Sequence, residues 1–124
     1  MPPMTRTDAT LWDCLDDFRH RFNQNPRVKK IIKDWNRSIV VECLDTGEAL
    51  TLVIRDLEVT EILPYAAETH ESRILLQANQ DIHKQIFTGI YNPSHALMDG
   101  AIAVFASDRD QVKLEAIAMV TWGI

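Results

Sequence analysis

The sequence predicts an α+β fold: a five-stranded, mostly antiparallel sheet with helices packed on one face and an apolar cavity between sheet and helices. Three observations lead there. Residues 38–63 hold three strand-like runs joined by two short turns, the pattern of a meander. Segments before and after them carry apolar residues at helical spacing. The last segment, 108–124, is apolar nearly all round, so it must be covered on more than one side.

Each element has a local reason. Asp8 is placed to cap a first helix whose Leu11, Leu15, Phe18 and Phe22 follow i, i+4, i+7, i+11 spacing, and residues 23–26 break it. Pro26 starts a short second helix with Val28, Ile31, Ile32 and Trp35 on one face and Arg27, Lys29, Lys30 and Lys33 on the other. Residues 38–44 and 49–54 then form a hairpin about the Asp45-Thr46-Gly47-Glu48 turn. A turn near Asp56 leads to a third strand, 58–63, which Pro64 stops. Residues 66–71 read as a polar loop and 73–78 as a fourth strand. Asn79 or Gln80 opens a helix that ends at Gly89, where a left-handed residue is needed. Asn92 caps the next, short helix with Pro93 at its first position, and Gly100 stops it. Residues 101–106 form the last strand, with Ile102 and Val104 on one face. Asp108 and Gln111 fit a capping box for the final helix, which carries Val112, Leu114, Ile117, Met119, Val120 and Trp122.

A chain of 124 residues makes one domain, here 1–124, and buries about two-thirds of its unfolded surface. Its apolar fraction of 46% and charged fraction of 25% are those of an ordinary soluble protein. The net charge of −5 argues against nucleic-acid binding, which needs excess cations to neutralise phosphates. Cys14 and Cys43 have no ligand-like spacing and read as buried thiols in a reducing compartment. No apolar run approaches the ~20 residues of a membrane span, the first residues show no signal-peptide core, and Trp-Gly-Ile is not a peroxisomal address. A cytoplasmic location is therefore expected.

The segment 87–104, with a helix ending in Gly89, the Asn92-Pro93 step, a short Ala- and Met-bearing helix, and Gly100 before a strand, resembles the signature of the sterol carrier protein 2 family. The order of elements over about residues 8–122 is similar too. Departures are Ala101 where the family often has Lys, Asp56-Leu57-Glu58 where it often has Gly, and Ala106-Ser107-Asp108 after the last strand. The resemblance implies a lipid-binding or transfer module without catalytic activity, holding a fatty acid, acyl-CoA, phospholipid or sterol-like ligand in an apolar tunnel. Sterol specificity is not carried over.

Ile82, Ile86, Met98, Ile102, Val104, Ile117, Met119, Val120 and Trp122 are the expected tunnel lining, set against the plain alternative that such residues are core. Met98 and Met119 favour the tunnel, because flexible thioethers suit adaptable apolar sites. The over-apolar final helix points the same way without appeal to family: a lipid or a second subunit would supply the missing cover. The alternative function is a non-catalytic accessory or interaction subunit, dimeric or not, that presents a lipid intermediate to biosynthetic enzymes. No cofactor is expected. His20, His70, His83 and His95 are scattered and make no metal set, and no nucleophile elbow is present. The basic face of residues 27–37 reads first as solvated, with transient membrane contact during lipid pickup as the sharper option.

Overall fold

The computed structural model describes residues 9–68 and 73–123. Its elements run α1 (Leu11–Gln24), α2 (Pro26–Ile31), β1 (Arg37–Cys43), β2 (Ala49–Arg55), β3 (Glu58–Leu63), β4 (Arg73–Ala78), α3 (Gln80–Phe87), α4 (Pro93–Met98), β5 (Ile102–Phe105) and α5 (Asp108–Trp122). The strands form one sheet in the order β3-β2-β1-β4-β5. Every neighbouring pair is antiparallel except β1 and β4, which are parallel. The fold is thus α+β, with a five-stranded, mostly antiparallel sheet.

Strand alternation decides which residues meet the helices. Ile39, Val41 and Cys43 of β1, Leu50, Leu52 and Ile54 of β2, and Ile74, Leu76 and Ala78 of β4 all enter the core. Val59 and Ile62 of β3 also point inward although they are three apart. A bulge opposite Val53 and Ile54 leaves Thr60 unpaired and restores the inward phase. Against this face lie Leu11, Leu15, Phe18 and Phe22 of α1, with Ile86, Phe87 and Ile117 from α3 and α5.

On the opposite face Val40 and Thr51 are fully buried. The Thr51 hydroxyl donates to the Tyr65 carbonyl at 2.7 Å and accepts from the Ala67 amide at 3.0 Å. Residues 64–67 are therefore a cover with buried Ala67, where a plain polar loop is expected; residues 69–72 lie outside the described part.

The starts of α2, α3 and α4 fall where the sequence places them, whereas the caps of α1 and α5 differ. Thr10 caps α1 in a capping box with Asp13, while Asp8 lies outside the described residues. Helix α1 runs through Asn23, whose side-chain amide pairs with the Val59 backbone, donating at 3.0 Å and accepting at 2.7 Å. One side chain thus closes part of the free edge of β3, and the break moves to Asn25, which caps α2. Ser107, not Asp108, caps α5, accepting from the Asp110 amide. β5 starts at Ile102, later than expected, because the Ala101 amide closes α4 by bonding to Ala96 through Gly100 at φ 73°.

Candidate functional site

The helices do not fill all the space above the sheet. A cavity of about 220 Å³ remains between the β1, β4 and β5 face and the helical layer. Its floor is Ile39 of β1, Leu76 of β4 and Ile102 and Val104 of β5; Leu76 and Val104 are register partners, and Ile39 and Ile102 lie two residues to either side of that row. Phe18 and Phe22 of α1 and Ile86 and Phe87 of α3 form one wall, and Leu114, Ile117, Ala118 and Trp122 of α5 another. The mouth lies between α4 and α5, where the lining residues Ser94, Leu97, Glu115 and Met119 are exposed.

Local chemistry fixes these walls. Asn92 accepts from the Ser94 and His95 amides, which sets α4 at the rim. Helix α5 is tied down at several points. Asp110, buried in its first turn, accepts from the Trp35 indole at 2.8 Å and from Arg37 at 3.1 Å. The Lys113 ammonium donates to the Ile31 carbonyl, and the Asn25 amide to that of Val120. Burial alone would raise the Asp110 carboxyl, but donors from Arg37 and Trp35 hold it below the usual range.

At the C-terminal end the fit is tight and apolar. The Trp122 ring lies 5.4 Å from that of Phe18 and 6.5 Å from that of Phe87. It covers Gly89 so closely that a Cβ there would sit 2.5 Å from its Cδ1. The indole N–H is buried with no hydrogen-bond partner. The Trp122 ring is thus held by packing, and the nearest polar tie of this end of α5 is the Asn25–Val120 bond.

Of the residues expected to line a tunnel, Ile86, Ile102, Val104, Ile117, Met119 and Trp122 surround the cavity. Ile82, Met98 and Val120 do not. Val120 lies on the side of α5 opposite Gln111 and Trp122, packed against the core, and its backbone carbonyl accepts from the Asn25 amide. Met98 is 83% exposed, because the α4 residue that turns toward the cavity is Leu97. Ile82, a turn before Ile86, packs into the core instead. Phe18, Phe22, Ile39, Leu76 and Phe87 were not expected at the lining: as periodic apolar residues they look identical to core. Polar Ser94, Gln111 and Glu115 carry no sequence signal at all.

The lining holds no His, Cys or Lys to activate a nucleophile. Burial raises the Cys14 thiol and pushes Cys43 up to about 11, so neither is a thiolate at neutral pH. His83 is fully buried, its Nε2 at 2.8 Å from the Glu42 carbonyl, and desolvation keeps it neutral. Among the described residues no three His, Cys, Asp or Glu gather as a metal site. On the basic face, Lys29 donates to the Leu57 carbonyl and Arg37 pairs with Asp110, so two of its five cations serve the fold. No described helix is long and apolar enough to cross a membrane.

No family model matches the sequence, nor does any curated protein. Solved structures do match the fold. A crystal structure of sterol carrier protein 2 superposes with TM-score 0.63 at 14% identity, covering 94% of this chain and 97% of that one. A palmitated sterol carrier protein 2-like protein from Aedes aegypti gives 0.60 at 10% identity, covering 89% and 95%. The sec-alkyl sulfatase PisA1 gives 0.69 at 11% identity, but this chain spans 94% of its own length and only 17% of the sulfatase.

Proposed function

We propose that this chain, which carries the sterol carrier protein 2 fold around an apolar cavity, is a non-catalytic module that binds a lipid chain in that cavity. The observation that supports it best is the 220 Å³ of space bounded mostly by Phe, Leu, Ile and Trp side chains. Without a ligand, this apolar lining faces water through the open mouth instead of packing against other apolar groups. A hydrocarbon tail supplies that packing, at roughly 0.8 kcal/mol for each methylene buried. The space is smaller than the usual ~300–1,000 Å³ of a small-molecule pocket, so a long chain enters by displacing the Trp122 end of α5. The palmitated fold relative agrees with this use.

Exposed apolar residues favour a second function, that of an accessory or interaction module. Leu97, Met98, Val112 and Met119 are 42%, 83%, 65% and 60% exposed on α4 and α5 around the mouth. A partner subunit seated there would cover them and the lipid together, and in the sulfatase the same fold is one part of a longer chain.

Trp122 provides the test. Titration with a lipid brominated along its chain should quench tryptophan fluorescence saturably, and Trp122→Phe should abolish most of that quenching, since Trp12 and Trp35 are not in the lining. Saturable quenching that survives in Trp122→Phe would place the lipid elsewhere. No quenching at any lipid concentration would leave the interaction module as the better function.

A further inference from the structure

Resting on the lipid-binding function proposed above, the mouth of the cavity says which lipid heads it accepts. Glu115 is the one ionisable residue in the lining, exposed at the mouth, with no ion-pair partner among the described residues. No Lys, Arg or His lines the cavity to offset it. The other polar groups there, Asn92, Ser94 and Gln111, both donate and accept but carry no charge. Gln111 uses one amide N–H on the Ala106 carbonyl, which leaves its second N–H and its oxygen for a ligand, and Ser94 adds a hydroxyl. Asn92 has its oxygen engaged in capping α4, which leaves its amide N–H groups as donors. A lipid with its tail among Phe18, Phe22 and Trp122 has its head at this rim. A carboxylate or phosphate there meets the like charge of Glu115, whereas a hydroxyl finds in that carboxylate a partner for its proton.

We propose that the cavity selects amphiphiles with an uncharged head that donates a hydrogen bond, an alcohol rather than a carboxylate, and that Glu115 enforces the choice. Two unit charges about 5 Å apart repel enough for roughly a four-fold discrimination in water and for more where the protein surface lowers the effective dielectric. The chain's net charge of −5 adds to this in the same direction.

Dodecanol and dodecanoate, matched in tail, are competed against a neutral fluorescent lipid probe at a pH where the carboxylates are ionised. Wild-type protein should prefer the alcohol by about ten-fold, equivalent to ~1.4 kcal/mol. Glu115→Gln, an exposed change that leaves the fold intact, should compress the ratio, and Glu115→Lys should invert it. The ratio of ratios cancels the intrinsic solubility difference between the two probes. Equal affinities in the wild type, or a ratio that Glu115→Gln and Glu115→Lys leave unchanged, would overturn the selectivity while lipid binding itself stands. Failure of both probes to compete, with no binding of the neutral probe in any variant, would overturn the selectivity and the lipid-binding function together.

Discussion

Gly89 shows how one residue sets the shape of the site. Its φ of 79° is a region that residues with a Cβ enter at a cost of roughly 1–2 kcal/mol. The added carbon of Gly89→Ala would also strike the Trp122 ring, at 2.5 Å from Cδ1. We expect this variant to lose about 2 kcal/mol or more in denaturant unfolding and to show more solvent-exposed tryptophan emission. Unchanged stability and emission would show that Trp122 does not rest on Gly89. The glycine and its role as a helix terminator are legible in the sequence; the indole lying on it is not, because the contact joins positions far apart in the chain. Asp110 is a second case. Nothing in the string separates it from Asp108, yet only Asp110 is buried against Arg37 and Trp35. Its folded pKa is depressed, so its contribution is present above the ordinary aspartate range and is lost as pH falls through the folded value. Asp110→Asn should cost about 3 kcal/mol near neutrality, by leaving the Arg37 charge unpaired. It should also flatten the loss of stability below about pH 4. A variant whose acid unfolding curve superposes on that of the wild type would refute the ion pair's role.

Elements follow the sequence where backbone preference and burial agree. The bounds of β3 and β4 are legible to the residue, since Pro64 and the β-branched alternation act together. The starts of α1 and α5 are less so, because Thr and Asp, or Ser and Asp, stand together there and tertiary position chooses among them. The β2–β3 hairpin departs from preference in another way. Asp56 and Leu57 occupy φ of 51° and 69°, a two-residue turn with both central residues left-handed, where Asn-Gly is favoured. Leu57 is 41% exposed and uses only its carbonyl, to accept from Lys29. Leu57→Gly should therefore stabilise the protein by about 1 kcal/mol, read as a higher thermal midpoint; a lower one would show that the leucine side chain matters more than the strain. The final helix is the other informative element. Its excess of apolar surface is legible in sequence, and the structure divides that surface between cavity wall and an exposed strip at the mouth. Truncation after Glu115 removes Ile117, Ala118 and Trp122 from the wall. Circular dichroism should report retained strands while lipid binding falls by ten-fold or more, at ~1.5–3 kcal/mol for each buried side chain lost. Full lipid affinity in the truncated chain would make the helix ordinary packing.

At the scale of the whole molecule, the fold reads from sequence and the cavity only partly. The order of strands and helices follows from periodicity and turn chemistry, both of which are local. A cavity is a shortfall of volume between elements, and no local pattern encodes it; Phe18 or Leu76 beside empty space has the same spacing as Leu15 or Ile74 in solid core. The over-apolar α5 was the one sequence sign of that shortfall. Binding to the folded state alone should stabilise the chain by about 2.7 kcal/mol at a hundred-fold excess over the dissociation constant. The most direct measurement is native mass spectrometry of protein purified from cells without detergent, followed by organic extraction of the same sample. A lipid-binding module should carry one lipid per chain, released on activation and recovered in the extract. A mass equal to the bare chain or its bare dimer, with an empty extract and no uptake of added lipid, would contradict it.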